Sequence, residues 1–403
     1  MTEGTALPRT EASARQIVVL RNSDPEALVT AVHEVRAAGN VPLVGDERWS
    51  ESYWHGVKES VVSADVMVDA AWATLTSGST GAPRIVLRSH ESWSSSFAPV
   101  AALLDAGPDD VLYLPSPPVS SLSLFSIAHA AAGGFKLALP HTRAVSLADS
   151  ADATLFHGTP RALRSVVDLL EADTAARRHH RLRSALVGGS DLDPALRTRA
   201  ERLGIRVTSY YGAAELSFVA IDRGDGLRAF DGVELTTREG ELWVRSPYRA
   251  LGYLRSDERQ PMRVDADGWA TVGDLAELAE LVDDQRLILH GRRDGAILTA
   301  SATVVPGDVE AALREIPGVL DAVVLGIPNA GVGELVAAVI ETATDGAAST
   351  AASLRSRAAD LLTPAQRPRL WFATPELPRT ATGKPARSEL RRRVLAGEVR
   401  TLD

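Results

Sequence analysis

The chain has 403 residues, of which 45% are hydrophobic and 24% are charged, and its formal net charge is -9. The length predicts two or three domains, and the acidic charge excludes a general nucleic-acid binder, since affinity for nucleic acid requires a positive surface. The sequence contains no cysteine, which excludes disulfides, thiolate zinc sites and a cysteine nucleophile.

The hydrophobic pattern and the first residues favour a cytoplasmic enzyme with no membrane partner. No apolar run reaches the length of a membrane span. The first residues lack the basic flank and the apolar stretch of a secretion signal.

Apolar strand patterns alternate with helical patterns along the first half of the chain. The predicted strands cover residues 16–20, 41–44, 110–114, 135–139, 153–156, 182–187 and 205–210. The predicted helices cover residues 24–38 and 120–132, and two more end near Leu170 and Leu203. This alternation predicts the α/β class, with a largely parallel sheet covered by helices. Ligands of such sheets bind at the carboxyl ends of the strands, so we expect the site there.

The pattern changes twice in the second half. From about Asp231 the strands are shorter and the turns richer in glycine, which predicts a small barrel-like β part. Beyond residue 293 the pattern becomes compact α+β, with helices at 306–314 and 353–362 and strands at 321–325 and 335–341. We therefore predict an N-terminal domain over 1–293 and a C-terminal domain over 294–403, with a mobile loop at 343–352.

A run of hydroxyls and glycines between two apolar, β-prone stretches predicts a phosphate-binding loop. Glycines let backbone N–H groups approach an anion, hydroxyls add donors, and an arginine adds a permanent charge. A Ser/Gly hairpin turn is the alternative interpretation. The residues concerned are Thr76, Ser77, Gly78, Ser79, Thr80, Gly81 and Arg84.

Five further segments follow this loop in a fixed order, and with them the chain resembles the adenylate-forming superfamily. That superfamily contains acyl-CoA synthetases, peptide-synthetase adenylation domains and luciferases. The chain is most similar to its compact members, the o-succinylbenzoate–CoA ligases. The matching segments are Tyr211–Glu215, Gly240–Val244 with Gly252 and Tyr253, Gly268–Asp274, Gly291–Asp294 and Leu377–Lys384.

The resemblance implies that ATP, with Mg²⁺, activates a carboxylic acid to an acyl-adenylate, with release of pyrophosphate and transfer of the acyl group to CoA. An aryl or other bulky acid is favoured. The alternative acceptors are a carrier-protein thiol, an amine or an inorganic nucleophile. A catalytically silent nucleotide-binding regulator is a third possibility.

The resemblance also implies roles for individual residues. Lys384 bridges the carboxylate and the α-phosphate, and Glu215 holds Mg²⁺. Family members rotate a small mobile α+β C-terminal domain about a hinge aspartate, here Asp294. The acid contacts His157, Ala213 and Ala214. Besides the loop, the implied nucleotide contacts are Gly189, Ser190, Tyr210, Tyr211, Gly212, Ala213, Asp274 and Arg292.

Lysine is scarce, which adds weight to Lys384. The 43 basic residues include only three lysines, Lys58, Lys136 and Lys384. A GC-rich coding sequence accounts for this bias. A lysine retained in such a chain still points to a position that needs a compact charge, since arginine does not replace it there.

Several positions depart from the family pattern. Only 75 residues precede the loop, so we expect a trimmed N-terminal subdomain. Ala214 and Val272 replace threonines, and Arg84 replaces a lysine. Ala300 and Ser301 stand where many acyl-CoA synthetases have two glycines. Added Cβ atoms narrow the path of the pantetheine arm, which puts CoA in doubt as the acceptor.

Overall fold

A computed structural model gives the fold. It describes residues 15–21, 23–45, 51–62, 64, 66–76, 84–116, 118–140, 145–189, 192–255, 262–281, 284–292, 297–298, 303–304, 306–329, 333–342, 351–362, 366–380 and 383–402. Its helices are α1 (Pro25–Ala37), α2 (Glu51–Val62), α3 (Glu91–Ser94), α4 (Phe97–Leu104), α5 (Ser121–Gly133), α6 (Pro160–Ala172), α7 (Thr174–His179), α8 (Pro194–Arg202), α9 (Pro306–Arg314), α10 (Ala351–Leu361) and α11 (Arg387–Leu395).

The strands form three large sheets, one smaller sheet and a short pair. They are β1 (Ile17–Leu20), β2 (Val41–Val44), β3 (Ala70–Thr76), β4 (Arg84–Ser89), β5 (Val111–Tyr113), β6 (Lys136–Ala138), β7 (Leu155–Gly158), β8 (Ser184–Gly188), β9 (Arg206–Ala213), β10 (Ser217–Asp222), β11 (Arg228–Ala229), β12 (Glu234–Arg238), β13 (Glu241–Arg245), β14 (Gly252–Tyr253), β15 (Arg263–Val264), β16 (Ala270–Thr271), β17 (Asp274–Leu281), β18 (Asp284–Arg292), β19 (Ile297–Leu298), β20 (Thr303–Val304), β21 (Val319–Asn329), β22 (Gly333–Thr342), β23 (Leu370–Thr374) and β24 (Arg400–Thr401).

The seven-stranded sheet, in the order β11-β10-β9-β8-β7-β5-β6, is the centre of the large N-terminal part. From β9 to β6 every neighbouring pair is parallel, while β10 and β11 are antiparallel additions at one edge. Buried residues of α6 and α8 pack with one group of strand side chains, and those of α4 and α5 pack with another. The predicted parallel α/β arrangement is confirmed.

Local signals fix the two helices nearest the carboxyl ends of these strands. Ser120 caps α5 by accepting from the Ser123 N–H at 3.1 Å, and Gly134 ends this helix at a φ of 74°. Thr159 caps α6 by accepting from the Ala162 N–H at 3.3 Å, with Pro160 in the first turn. Such caps satisfy backbone groups that the helix itself leaves open.

The five-stranded sheet has the order β1-β2-β3-β4-β14. Its β3 and β4 are antiparallel neighbours, with Thr76 opposite Arg84. The apolar stretches on both sides of the predicted phosphate loop are therefore strands, and they hold the two ends of the loop together. Residues 77–83, which contain most of that loop, lie outside the described residues.

The antiparallel sheet β15-β16-β13-β17-β18, with β12 beside β13, follows as expected for the barrel-like part. After it come the sheet β21-β22-β23-β24 and α9, α10 and α11, which contain two hydrophobic clusters of their own. The predicted boundary at 293 and 294 lies outside the described residues and stays a prediction. No helix within the described ranges is both long and apolar enough to cross a membrane.

Several predicted boundaries were wrong; the strand expected at 321–325, for example, is the longer β21 (Val319–Asn329). The strand expected at 205–210 continues to Ala213, because pairing with β10 prolongs it. The loop expected at 343–352 is too long at its end, since Ala351 and Ala352 already belong to α10, where Ala351 is fully buried. Residues 343–350 lie outside the described residues.

Replacing Gly212 with alanine should destabilise the large domain. A Cβ atom at this position would lie 2.1 Å from the Ser217 carbonyl oxygen, which is backbone and cannot rotate away. We expect Gly212→Ala to lower the stability by about 1–3 kcal/mol, as overpacking does, measured from the midpoint of urea unfolding.

Gly56→Ala is the matched control. Gly56 lies inside α2, and a Cβ there meets nothing within 4 Å. This variant should gain about 0.5–1 kcal/mol, because alanine favours a helix over glycine. Equal midpoints for the two variants would contradict the steric argument.

Candidate active site

His157 lies at the carboxyl end of β7 and is fully enclosed, with 1% of its surface exposed. Its Nδ1 lies 2.7 Å from the Ser126 hydroxyl on α5, and its Nε2 lies 3.1 Å from the Tyr210 hydroxyl on β9. The structure thus joins two residues that the sequence had singled out separately. Ser126 was missed, because a serine on a buried helix face gives no local signal of its partner.

The hydrogen-bonded network formed by Tyr210, His157 and Ser126 is uncharged. Burial, helped by the nearby His129, lowers the pKa of His157 to about 3, and burial also raises the pKa of Tyr210. One proton assignment satisfies every group: Tyr210 donates to Nε2, Nδ1–H donates to Ser126, and Ser126 donates to the Leu122 carbonyl at 2.9 Å. This network fixes the Tyr210 hydroxyl.

Gly188, at the end of β8, is the neighbour of the Tyr210 ring. A Cβ at Gly188 would lie 2.2 Å from the Tyr210 Cζ atom. On β10, Phe218 places its ring centroid 4.6 Å from that of Tyr210. Gly189, which follows, is exposed and has a φ of 96°, whereas Ser190 lies outside the described residues. Only a glycine at 188 leaves room for this ring.

Tyr211 and Asp274 meet at the junction of two sheets. The Tyr211 hydroxyl donates a hydrogen bond to the Asp274 carboxylate. Asp274 is the first residue of β17, and the register places it opposite Arg292 of β18. Two predicted nucleotide contacts therefore touch each other, and a third lies on the adjacent strand.

Glu215 lies in the turn between β9 and β10 and is 4% exposed. Its Oε1 accepts a hydrogen bond from the Tyr253 hydroxyl at 2.8 Å. Burial, the Glu215 charge and this hydrogen bond raise the pKa of Tyr253, while the charge of Arg84 opposes that rise. Glu215 is thus a buried carboxylate rather than a solvated loop residue, and Arg84 is close enough to act on the same region.

The donor set around Glu215 fits a Mg²⁺ ion that arrives with a nucleotide. No group of three or more His, Asp or Glu side chains in the described part of the chain is placed to hold a metal by itself. Mg²⁺ binds through one or two carboxylates together with phosphates and water. A single buried carboxylate beside the predicted nucleotide contacts meets that requirement.

Lys384 lies on a tight turn between β23 and α11, and it is exposed. Its carbonyl accepts from the Thr380 N–H at 2.7 Å, and the Thr380 carbonyl accepts from the Gly383 N–H at 2.9 Å. Arg379 and Pro385 form an isolated bridge that closes the turn. The position on a loop ahead of a helix agrees with the sequence analysis.

Ion pairs connect the base of the Lys384 turn with the N-terminal part. Arg379 binds Asp321 at 2.9 Å and Glu341 at 3.2 Å. Arg161, in the first turn of α6, lies 3.7 Å from Glu341 and 3.1 Å from Glu376. Glu341 therefore pairs with one arginine of the N-terminal part, Arg161, and with one of the C-terminal part, Arg379.

For several predicted site residues the predicted role stays a prediction. The side chain of Arg292 is not among the described features. Ala213, the last residue of β9, and Ala214, in the turn that follows, are half-buried. Ser77, Gly78, Ser79, Thr80, Gly81, Asp294, Ala300 and Ser301 lie outside the described residues.

Two family models match most of the chain. The model for the AMP-binding enzyme matches residues 7–254, and that for the AMP-binding enzyme C-terminal domain matches residues 308–384. The chain belongs to the AMP-binding enzyme family. The resemblance to adenylate-forming enzymes is thereby confirmed.

Relatives of this AMP-binding enzyme differ greatly in length. The naringenin synthase of Pestalotiopsis fici is 28% identical over 360 residues, which is 82% of this chain but 13% of that protein. A probable 2-succinylbenzoate–CoA ligase of Mycobacterium tuberculosis is 28% identical over 393 residues, covering 95% and 99% of the two chains. The fatty acid–[acyl-carrier-protein] ligase MmaC of Mycobacterium marinum is 32% identical over 185 residues, covering 45% and 34%.

Solved structures share the fold. ATP-bound MatB of Rhodopseudomonas palustris matches with a TM-score of 0.78 at 20% identity, over 95% of this chain and 89% of that one. The o-succinylbenzoate-CoA synthetase of Bacillus subtilis, in complex with its acyl-adenylate intermediate, matches with a TM-score of 0.74 at 20% identity, over 94% and 89%. At these identities the likeness concerns the fold.

The buried His157 should make stability depend on pH. Its folded pKa of about 3 lies below the ordinary 6.5, so the unfolded state takes up more protons between these values. The stability that neutral His157 provides is therefore full above about pH 6.5 and is lost as the pH falls toward 3, by at most about 1.4 kcal/mol per pH unit. We expect His157→Gln to lose less stability than the parent between pH 7 and pH 5, measured by urea unfolding at both pH values.

His179→Asn is the control, since His179 is exposed on α7 and lies outside the hydrogen-bonded network of His157. It should lose as much stability as the parent on acidification. The same loss in His157→Gln would contradict the neutral buried state of His157.

Proposed function

We propose that this enzyme activates a carboxylic acid with ATP to an acyl-adenylate and then transfers the acyl group to CoA. The observation that carries the proposal is that Tyr211, hydrogen-bonded to Asp274, and the buried Glu215 both lie at the carboxyl end of β9, in a chain of the AMP-binding enzyme family. Ligands of parallel α/β sheets bind at this edge.

In the first step, a carboxylate oxygen of the acid attacks the α-phosphorus of ATP. A bond forms between them, and the bond from the α-phosphorus to the bridging oxygen breaks, so that pyrophosphate leaves with the electron pair. The enzyme must position two anions and stabilise the charge that develops. Mg²⁺, when bound through Glu215 and the phosphates, neutralises part of that charge.

The chain's own residues divide this task. The loop from Thr76 to Arg84 binds the β- and γ-phosphates, with Arg84 as a permanent cation. Asp274, already a hydrogen-bond acceptor for Tyr211, accepts from the ribose hydroxyls. Lys384 bridges the attacking carboxylate and the α-phosphate.

In the second step, the CoA thiolate attacks the acyl carbon and forms the thioester bond, while the C–O bond of the mixed anhydride breaks and AMP leaves with its electron pair. We assign the two domains as 1–293 and 294–403, with rotation about Asp294 between the steps. The ion pairs of Arg161 then belong to one of the two orientations. The remaining nucleotide contacts and the cytoplasmic location predicted from the sequence stay predictions.

We propose an aryl or other flat acid as the substrate. Tyr210, His157 and Phe218 form an uncharged, largely aromatic cluster at the carboxyl ends of β7 and β9. The adjacent Ala213 and Ala214 have small side chains that leave room for a ring. The relative named a 2-succinylbenzoate–CoA ligase supports this class.

A carrier-protein thiol is the second candidate acceptor. Ala300 and Ser301 replace two glycines that many CoA-using members have, and a relative is named a fatty acid–[acyl-carrier-protein] ligase. Both acceptors use the same thioester chemistry after the same adenylation step.

A pyrophosphate-release screen tests the proposal. Aryl and fatty acids are supplied with ATP and Mg²⁺, with CoA, with a phosphopantetheinylated carrier protein, or with neither, and the products are identified by mass spectrometry. We expect release with an aryl acid and an acyl-CoA product. If a thioester forms only on the carrier protein, then the carrier protein rather than CoA is the acceptor. No release with any acid would overturn the adenylation proposal.

Lys384→Ala should greatly lower the rate of the first step, the formation of the acyl-adenylate. Removal of a charge that stabilises the transition state costs about 10²–10³ in rate, measured as ATP–pyrophosphate exchange with the best acid. Lys136→Ala is the matched control, because Lys136 is an exposed lysine at the start of β6, outside the candidate site. Equal exchange rates in the two variants would contradict the role of Lys384.

A further inference from the structure

Arg88 is a fully buried cation that no sequence motif explains. It lies on β4, four residues beyond Arg84, and its exposed fraction is 0%. Its guanidinium carbon lies 5.4 Å from the Trp93 ring centroid. Burial of an ion costs several kcal/mol unless hydrogen bonds compensate for the lost water. An arginine in this position therefore needs a reason beyond packing.

Arg88 donates hydrogen bonds to two chain segments, the turn that contains Glu215 and a segment that contacts it. One nitrogen donates to the carbonyl of Ala214, the residue before Glu215, at 2.5 Å. The other nitrogen donates to the carbonyl of Tyr248. These contacts join positions 126 and 160 residues apart in the sequence.

The segment after Tyr248 holds Glu215 at both its backbone and its side chain. The Ala250 N–H donates to the Glu215 carbonyl at 2.7 Å, and the Tyr253 hydroxyl donates to the carboxylate at 2.8 Å. The same segment is anchored to β4, where Leu251 N–H donates to the Leu87 carbonyl at 2.9 Å. Arg88 thus clamps the turn and the segment that together orient this carboxylate.

The charge of Arg88 also acts on Glu215. Burial lowers the pKa of Arg88 to about 9, whereas the negative charge of Glu215 raises it, so the guanidinium stays protonated at neutral pH. The hydrogen bonds of Arg88 go to the two carbonyls, and its attraction to the carboxylate acts through space.

We propose that Arg88 is a positioning residue for Glu215, which it holds in the orientation that binds the Mg²⁺ accompanying ATP. The inference rests on the proposed function and adds a residue that the family resemblance did not assign. A planar guanidinium with several fixed donors can bridge two separate carbonyls, whereas the single ammonium of a lysine cannot reproduce that fork.

Calorimetric titration of the full chain with ATP, in the presence and absence of Mg²⁺, tests this role without need of the acid. We expect Mg²⁺ to lower the Kd for ATP in the parent. In Arg88→Lys the ratio of the Kd without Mg²⁺ to the Kd with Mg²⁺ should be about tenfold smaller than in the parent. ATP binding without Mg²⁺ should change little. Glu215→Gln should have the same effect, and the double variant should show no further loss, because the two residues act as one unit.

Arg197→Lys is the matched control. Arg197 is another buried arginine, 8% exposed, which donates to the Val207 carbonyl at 2.5 Å and pairs with Asp222 at 2.9 Å. It should lower the thermal unfolding midpoint but leave the Mg²⁺-dependent tightening intact. If Arg88→Lys behaves like this control, Arg88 is only structural and the proposal fails.

Two further outcomes also test the proposal. If Arg88→Lys does not fold, Trp93→Phe, which alters the ring against which the guanidinium stacks, should give a smaller loss of the same tightening. Unchanged tightening in Trp93→Phe would then overturn the proposal. If the parent itself binds no ATP, the proposed function fails, and that result differs from selective loss in the variant.

Discussion

The tight turn that joins β9 to β10 is the constraint on which the candidate site depends. Gly212 approaches the Ser217 carbonyl so closely that no side chain fits between them. Successive strand residues point to opposite sides, so Tyr210 reaches His157 while Tyr211 reaches Asp274. Glu215 follows within the turn, where Tyr253 binds it. One backbone geometry therefore distributes the side chains that surround the proposed nucleotide and acid.

Most buried polar groups around this turn form hydrogen bonds with fixed partners in the protein. The two terminal nitrogens of Arg88 donate to carbonyls, Tyr253 donates to Glu215, and His157 lies between Ser126 and Tyr210. Groups held in this way need no reorganisation when charge develops in a reaction. The ionic groups lie around Glu215 and the neutral ones around His157. This separation agrees with phosphate binding on one side and an uncharged part of the acid on the other.

The order of the elements was predictable from the sequence, and their ends were less so. The helix expected at 24–38 is Pro25–Ala37, because Asp24 caps it by accepting from two backbone N–H groups. Caps and periodicity are local signals, and they act wherever the rest of the chain lies. The end of β9 depends instead on its pairing with β10, and the start of α10 on a buried alanine. Such partners are set by tertiary contacts, which local patterns do not contain.

The sequence by itself determined the α/β class, the membership of the adenylate-forming enzymes and the segments expected to hold the nucleotide. It could do so because glycines, hydroxyls and charges at fixed spacings carry phosphate chemistry locally. Only the tertiary structure decided the partners of the key side chains. His157 meets residues 31 and 53 positions away, and Arg88 binds carbonyls 126 and 160 positions away. Those contacts depend on strand register and packing, since a hydrogen bond forms only when distance and direction both fit.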